Sequence, residues 1–388
     1  MKRLDVKRSL VFLLGVAIGF GGISACSSLS DISGQQTNLS AETANPIAVG
    51  DEIAFTGLLE KVSDSRVIYI GEIHDRYDHH LNQLAVVDGL YNRGVDFAIG
   101  LELFQRPSQQ HLDRYIAGEI SEKILLKQTG YYQNWGYDFR LYRPILEYAR
   151  DRGIALVALN APSELVSQVS ENGFEGVSEA WKSQLPEIRI PPDASYQRRL
   201  QRVFALHPHA EKQFDNFLQV QLLWDEYMAD SVVSQLQAHP GRQLVVLAGS
   251  GHVAADSGIP QRAQHRIPHE YTVMISTDPG MSAMAGADHA LLASGDELPA
   301  AGKLGITMGE SDSGVTVGRW LRDRIAGEYA EFLPGDLITS IAGERIGSIE
   351  DVRLAMLDRL PGEQLWVELE RAVGSGKPVR VATVIELI

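Results

Sequence analysis

Between Arg66 and Ser276 the chain alternates short apolar runs with amphipathic stretches. Arg66–Ile70, Phe97–Leu101, Ile154–Leu159, Leu244–Ala248 and Tyr271–Ser276 are five or six residues long and rich in Val, Ile and Leu, the pattern of strands buried on both faces. His80–Arg93, Ser108–Ala117 and Leu141–Arg152 carry apolar residues at helical spacing, two of them closed by Gly94 and Gly153. A longer helical stretch runs from Tyr196 to Ala238 and breaks near His207-Pro208. Strands alternating with helices predict βαβ units and an α/β fold with a mainly parallel sheet flanked by helices.

After Ser276 the pattern changes. Thr277 to Pro299 is rich in Ala, Gly, Ser, Asp and Pro and reads as a linker over about 277–300. From 301 to 388 a small β-rich domain is expected, with a turn at Pro334-Gly335-Asp336 and a helix Ile349–Arg359 capped by Ser348. The stretch Leu333 to Gly343 resembles the PDZ domain of bacterial type, and Leu304-Gly305-Ile306 falls where that family's carboxylate-binding loop lies. The resemblance implies a protein or peptide partner whose C-terminus is captured by backbone N–H groups and whose strand joins a sheet edge.

The first 50 residues lie outside this pattern. Lys2, Arg3, Lys7 and Arg8 precede a short apolar run, Leu10 to Phe20, too short to span a bilayer comfortably. Ile23-Ser24-Ala25-Cys26 resembles the lipobox of bacterial lipoproteins, which implies a signal peptide over 1–25, lipidation of Cys26 and a lipid anchor in the membrane. Ser27 resembles the outer-membrane sorting signal, so the expected place is the outer membrane, facing the periplasm. Residues 26–50 read as a flexible tether, leaving 51–276 as the α/β domain. Cys26 is the only cysteine, so no intramolecular disulfide forms.

Composition narrows the function. Of 388 residues, 44% are hydrophobic and 22% charged, as in globular proteins, and the formal net charge is −15. That acidity, with no basic stripe, argues against nucleic acid, whose binding rests on Lys and Arg neutralising phosphates.

Chemistry-bearing side chains gather at strand ends. The run Val67 to Ile70 enters Gly71-Glu72-Ile73-His74, and Leu244 to Ala248 enters Gly249-Ser250-Gly251-His252. Ligands of open parallel sheets bind beyond the carboxyl ends of the strands, so both imidazoles are aimed at one pocket. Glu102 and Asn160 end two further strands, and Asp78, His79 and His80 follow the first. Imidazole with carboxylate suits Zn, Mn or Fe, an acid–base pair, or a haem iron; residue chemistry leaves these open. Trp135 to Pro144, with Tyr137, Arg140 and Arg143, offers a flat apolar wall with cations for a porphyrin and its propionates, or a loop packed on the sheet. Asp225 shares a helical face with Gln221 and Met228; it either reaches the pocket or pairs at the surface with Arg140 or Arg143.

As an ordered set over about residues 55–275, these motifs resemble the ChaN family of haem-binding lipoproteins, within the TIKI/TraB-like superfamily. ChaN-like membership implies haem binding in iron uptake, with homodimers enclosing stacked haems, and haem contacts from His79, His80, Trp135, Tyr137, Arg140 and His252. TIKI-type relatives are metal-dependent proteases. Their pattern carried onto this chain makes His74 and His252 metal ligands, with Glu72 and Glu102 as ligands or catalytic bases. The PDZ-like domain departs from the single-domain ChaN pattern and also fits an envelope interaction scaffold.

Overall fold

The computed structural model describes residues 46–205, 214–253, 258–281, 286–321, 332–373 and 377–388. Cys26, the expected signal peptide and the His207-Pro208 break lie outside them. After Glu297 the chain divides into two compact units.

The first unit is built on seven strands: β1 Ile47–Ala48, β2 Val67–Glu72, β3 Phe97–Gln105, β4 Leu156–Asn160, β5 Gln243–Gly249, β6 Tyr271–Thr277 and β7 His289–Leu292. Their order is β1-β7-β6-β2-β5-β3-β4, and every neighbouring pair is parallel. β2 and most of β5 are buried along their length because both faces carry Val, Ile, Leu or Tyr. On one face Tyr69, Val246 and Ala98 pack under Met228, Val232 and Leu236 of the long helix Phe214–Ala238. The expected strands are all present. Two lie in stretches expected to be irregular: β1 within the tether 26–50, and β7 within the linker 277–300. Both are too short to leave a period of their own; they extend the sheet edge because β6 and β7 offer a ladder to pair with.

Register sets up the site. β5 lies between β2 and β3, with Glu72 opposite Gly249 and Leu101 opposite Leu247. The carboxyl ends of these three strands, carrying both Gly-x-x-His motifs and Glu102, are therefore side by side. Two glycines make close approach possible there. A Cβ on Gly71 would lie 2.7 Å from Val253, which seats the helical turn Ser250–Val253 against β2. A Cβ on Gly249 would lie 2.8 Å from Cε1 of His74, so the bare backbone lets that ring lie over β5.

The second unit is an antiparallel sheet of β8 Ile306–Ser311, β9 Gly314–Trp320, β10 Leu337–Ile341, β11 Glu344–Arg345, β12 Gln364–Arg371 and β13 Val379–Glu386. Its path is β13-β12-β10-β9-β8, with β11 paired to β10 through a tight turn at Ala342-Gly343, both at positive φ. The helix Ile349–Met356 starts in a capping box, Ser348 accepting from Asp351 N while the Asp351 carboxylate accepts from Ser348 N. Ile306, Val317, Ile338, Val352 and Val367 form its core. Among the described residues no helix is long and apolar enough to cross a membrane.

Candidate functional site

Five side chains from four elements converge at the carboxyl edge of β2, β5 and β3: Glu72, His74, Glu102, Asp225 and His252. Glu72 and Glu102 are buried strand residues. His74 stands two residues past Glu72, so its Nδ1 turns back to Glu72 Oε1 at 2.7 Å. His252 lies on the helical turn after β5 and sends Nδ1 to Asp225 Oδ1 at 2.6 Å. Its Nε2 faces Glu102 Oε1 at 3.6 Å, beyond hydrogen-bond reach. Glu102 Oε2 accepts from Gly249 N at 2.6 Å. The sequence left two places for Asp225; the structure puts it in the pocket, and it is 1% exposed.

Each imidazole is thus anchored at Nδ1 by a carboxylate, which directs Nε2 toward the shared edge. This is the arrangement that orients a metal-ligating histidine. Aromatic rings wall both. His74 has Trp135 at 4.8 Å and Tyr137 at 5.1 Å between ring centroids, and Trp224 stands 6.1 Å from His252. The Tyr142 hydroxyl reaches the carbonyl of His74 at 3.4 Å.

The site concentrates charge. Burial opposes ionisation of Glu72, yet His80 and His74 hold its carboxyl well below the usual range. Burial also opposes charge on His74, but Glu72, with Glu102 and Asp75, outweighs it and pushes the imidazole up to about 9. His252 is raised in the same way, by Glu102 and Asp225 against burial. The surrounding carboxylates thus shift both imidazoles toward the charged form.

The remaining expected residues fall elsewhere. His79 and His80 sit on the helix Tyr77–Asn92 at 1% exposure and do not line an open face. His80 is engaged at both nitrogens, with Nε2 2.9 Å from Glu72 Oε2 and Nδ1 3.0 Å from Gln83 Oε1. It supports the site from behind. His79 Nδ1 accepts from Ile73 N, and burial, which outweighs Asp78, lowers its pKa to about 4. Their place at a helix start does not reveal this burial, which comes from packing against the rest of the unit. Arg140 is tied by two nitrogens to Asp138, which also caps its turn, and Arg143 pairs with Glu122. Asn160 braces the edge, its Nδ2 donating to Glu102 O.

Nor do His74, His252, Glu72 and Glu102 form the four-ligand metal set. Among the described residues no three His, Cys, Asp or Glu are placed to hold a metal ion.

Sequence reasoning missed Tyr196, whose hydroxyl donates to Asp225 Oδ2 at 2.7 Å, and Ser250, whose hydroxyl donates to Glu72 O at 3.1 Å. No local pattern marks Tyr196, which reaches the site from a helix, Ala194–Ala205, far from any strand end. In the second unit, Gly305 has φ of +71°, Leu304 and Ile306 are buried, and Ile306 opens β8, the last strand on the sheet path.

The family described as "Haem-binding uptake, Tiki superfamily, ChaN" matches residues 58–263, the stretch that carries all five converging side chains. Among curated proteins the chain is similar to Protein RETICULATA-RELATED 5, chloroplastic, of Arabidopsis thaliana. The two are 25% identical over 257 residues, 60% of this chain and 34% of that protein, so the chain spans about a third of its relative's length. Among solved structures it is similar to ChaN of Campylobacter jejuni, described for cofacial heme binding (TM-score 0.49, 18% identity, 61% of this chain and 90% of that one). It is also similar to a variant of the erythromycin esterase EreC in its open conformation (TM-score 0.39, 17% identity, 59% and 74%). With TM-scores below 0.5, neither structural likeness bears on function.

Proposed function

The chain belongs to the ChaN haem-binding uptake family of the Tiki superfamily, and on that premise we propose that its first unit holds haem at the carboxyl edge of β2, β5 and β3, with His74 and His252 as the iron-facing groups. The observation that carries the reading is the matched pair of anchored imidazoles, Glu72–His74 and Asp225–His252, each with Nδ1 fixed and Nε2 turned to the same edge. Imidazole is a common axial group for haem iron, and a bound haem would supply that iron and a flat apolar ring. Trp135, Tyr137 and Trp224 provide apolar faces for such a ring. His79 and His80, both enclosed, serve as packing and as a brace for Glu72.

The wider proposal places this unit in the bacterial envelope, anchored through Cys26 and engaged in iron uptake, with two copies pairing over stacked haems. The second unit is proposed as PDZ-like. β8 ends the sheet path beside the helix Ile349–Met356, and an added peptide strand would join it there, its carboxylate at Leu304-Gly305-Ile306. Haemin titrated into the protein lacking its first 26 residues tests the central reading: it predicts a saturable, shifted Soret band at micromolar haemin, and an unshifted spectrum overturns it.

One observation favours a second reading. His252 lies between Asp225 and Glu102, an orienting carboxylate on one nitrogen and a second carboxylate facing the other. That is an acid–base arrangement suited to hydrolysis, with Glu102 or Glu72 accepting a proton from water. Incubation with peptide libraries, with and without added Zn or Mn, tests it; uncut peptides under all conditions count against it.

A further inference from the structure

Antiparallel strands turn the N–H and C=O of successive residues to alternate sides, and this decides which groups β13 directs outward. Leu387 N donates to Glu363 O, so Leu387 and the odd-numbered residues before it bond toward β12, with which β13 pairs from Val379 to Glu386 without a shift of register. The Trp366 carbonyl agrees: it accepts from Ala342 N, just past β10, and so turns away from its β13 partner Val384. Arg380, Ala382, Val384 and Glu386 therefore present their N–H and C=O groups on the side away from β12. Among the described residues β13 ends the sheet path, and at its far end Ile388 exchanges both backbone bonds with Lys303. On the outer face Val384 and Trp366 stand opposite each other, 45% and 50% exposed, with Ala382 exposed beside them. An apolar strip along an end strand is a template for one more strand. Its two ends carry opposite charges, Arg380, which lies 3.9 Å from Glu370, and Glu386.

We propose that β13 pairs with β13 of a second copy of this chain, antiparallel about a two-fold axis through Thr383. The axis sets Arg380 opposite Glu386 of the second copy and Ala382 opposite its Val384, and repeats both pairs in reverse, the self-complementarity that a two-fold interface requires. Sliding by two residues is the smallest step that keeps the outer face outward. Either way it breaks the charge pairs and sets Arg380 against Val384, or Glu386 against Ala382. A carboxylate accepts several bonds, so receiving Arg380 leaves the other contacts of Glu386 in place. The contact lies within the second unit and needs no haem, so it is separate from the pairing over stacked haems.

The test is sedimentation of the haemin-free protein lacking its first 26 residues, as wild type and as variants of verified thermal stability. The wild type is expected to form dimers as its concentration rises. Ala382→Pro removes one outward N–H and should abolish them, since an edge strand tolerates proline there but cannot add a strand across it. Arg380→Glu sets like charges opposite each other at both ends and should weaken association about tenfold or more, the scale of roughly 1.4 kcal/mol. Arg380→Glu combined with Glu386→Arg restores the pairs and the dimer. With Cys26 gone, Thr383→Cys carries the sole thiol, opposite its own copy in a non-hydrogen-bonded pair with Cα atoms about 4.5 Å apart, within disulfide reach. Mild oxidation should link it, and should leave Ser313→Cys, in the exposed turn between β8 and β9, unlinked. A wild type that stays monomeric at every concentration, association unchanged in Ala382→Pro, or linkage of Thr383→Cys no faster than of Ser313→Cys overturns the proposal.

Discussion

Asp225 joins two groups that lie far apart in sequence: its Oδ1 accepts from His252 Nδ1 at 2.6 Å and its Oδ2 from the Tyr196 hydroxyl at 2.7 Å. The carboxylate is 1% exposed, so both bonds are made out of water. Removing the hydroxyl in Tyr196→Phe leaves a buried carboxylate oxygen without its donor, which costs about 1–3 kcal/mol. Urea unfolding of the variant should show that loss at unchanged m-value. In Asp225→Asn one of the two carboxylates that raise His252 becomes neutral, so the His252 pKa falls; an NMR titration of the ring protons reads the shift.

Glu72 is shared by His74 and His80, and it dominates the charge on His74. In Glu72→Gln the His74 pKa, about 9 in the wild type, should drop toward the ordinary value of about 6.5. The same NMR titration measures it, and an unchanged value would mean that Glu72 does not set the charge of the site.

Much of this site was legible in the sequence, and the limits were physical. The two Gly-x-x-His motifs and Glu102 stood at the ends of apolar runs, and a parallel sheet brings strand ends to one edge whatever their separation along the chain. The adjacency of β2, β5 and β3 was not legible, because strand order depends on which runs pair. The burial of His79 and His80 was not legible for a related reason: nothing at a helix start shows the sheet packed behind it. β7 was hidden by length, four residues within an Ala- and Gly-rich stretch. Tyr196 had no local mark, since its contact with Asp225 comes from the packing of a helix beside the pocket.

Gly249 tests the close approach of ring and strand. A methyl group there would lie 2.8 Å from His74 Cε1. In Gly249→Ala the imidazole must swing away, so haemin affinity should fall several-fold while the far-ultraviolet dichroism of the sheet persists. A variant that binds haemin as wild type does would show that the His74 position over β5 is not needed.

Stability should pass through a maximum near pH 6.5. Burial holds His79 down to about 4, so between about 4 and 6.5 the unfolded chain binds more protons and stability rises with pH. His74 acts in the opposite sense. Its folded pKa of about 9 exceeds the unfolded value, so its contribution is full below about 6.5 and is lost as pH rises through 9. His80 and His252, both raised, act in the same direction. Chemical unfolding at pH 4.5, 6.5 and 9 checks the dome, and His79→Gln should flatten its acid side.

The central claim is that His74 and His252 face the bound haem while His80 only braces Glu72. The most direct measurement is haemin titration of His74→Ala, His252→Ala and His80→Gln beside wild type, read at the Soret band. The account predicts that each of the first two loses affinity and changes the position of the band, and that His80→Gln binds more weakly with the band unmoved. A band that shifts in His80→Gln but stays at its wild-type position and affinity in both alanine variants would contradict it.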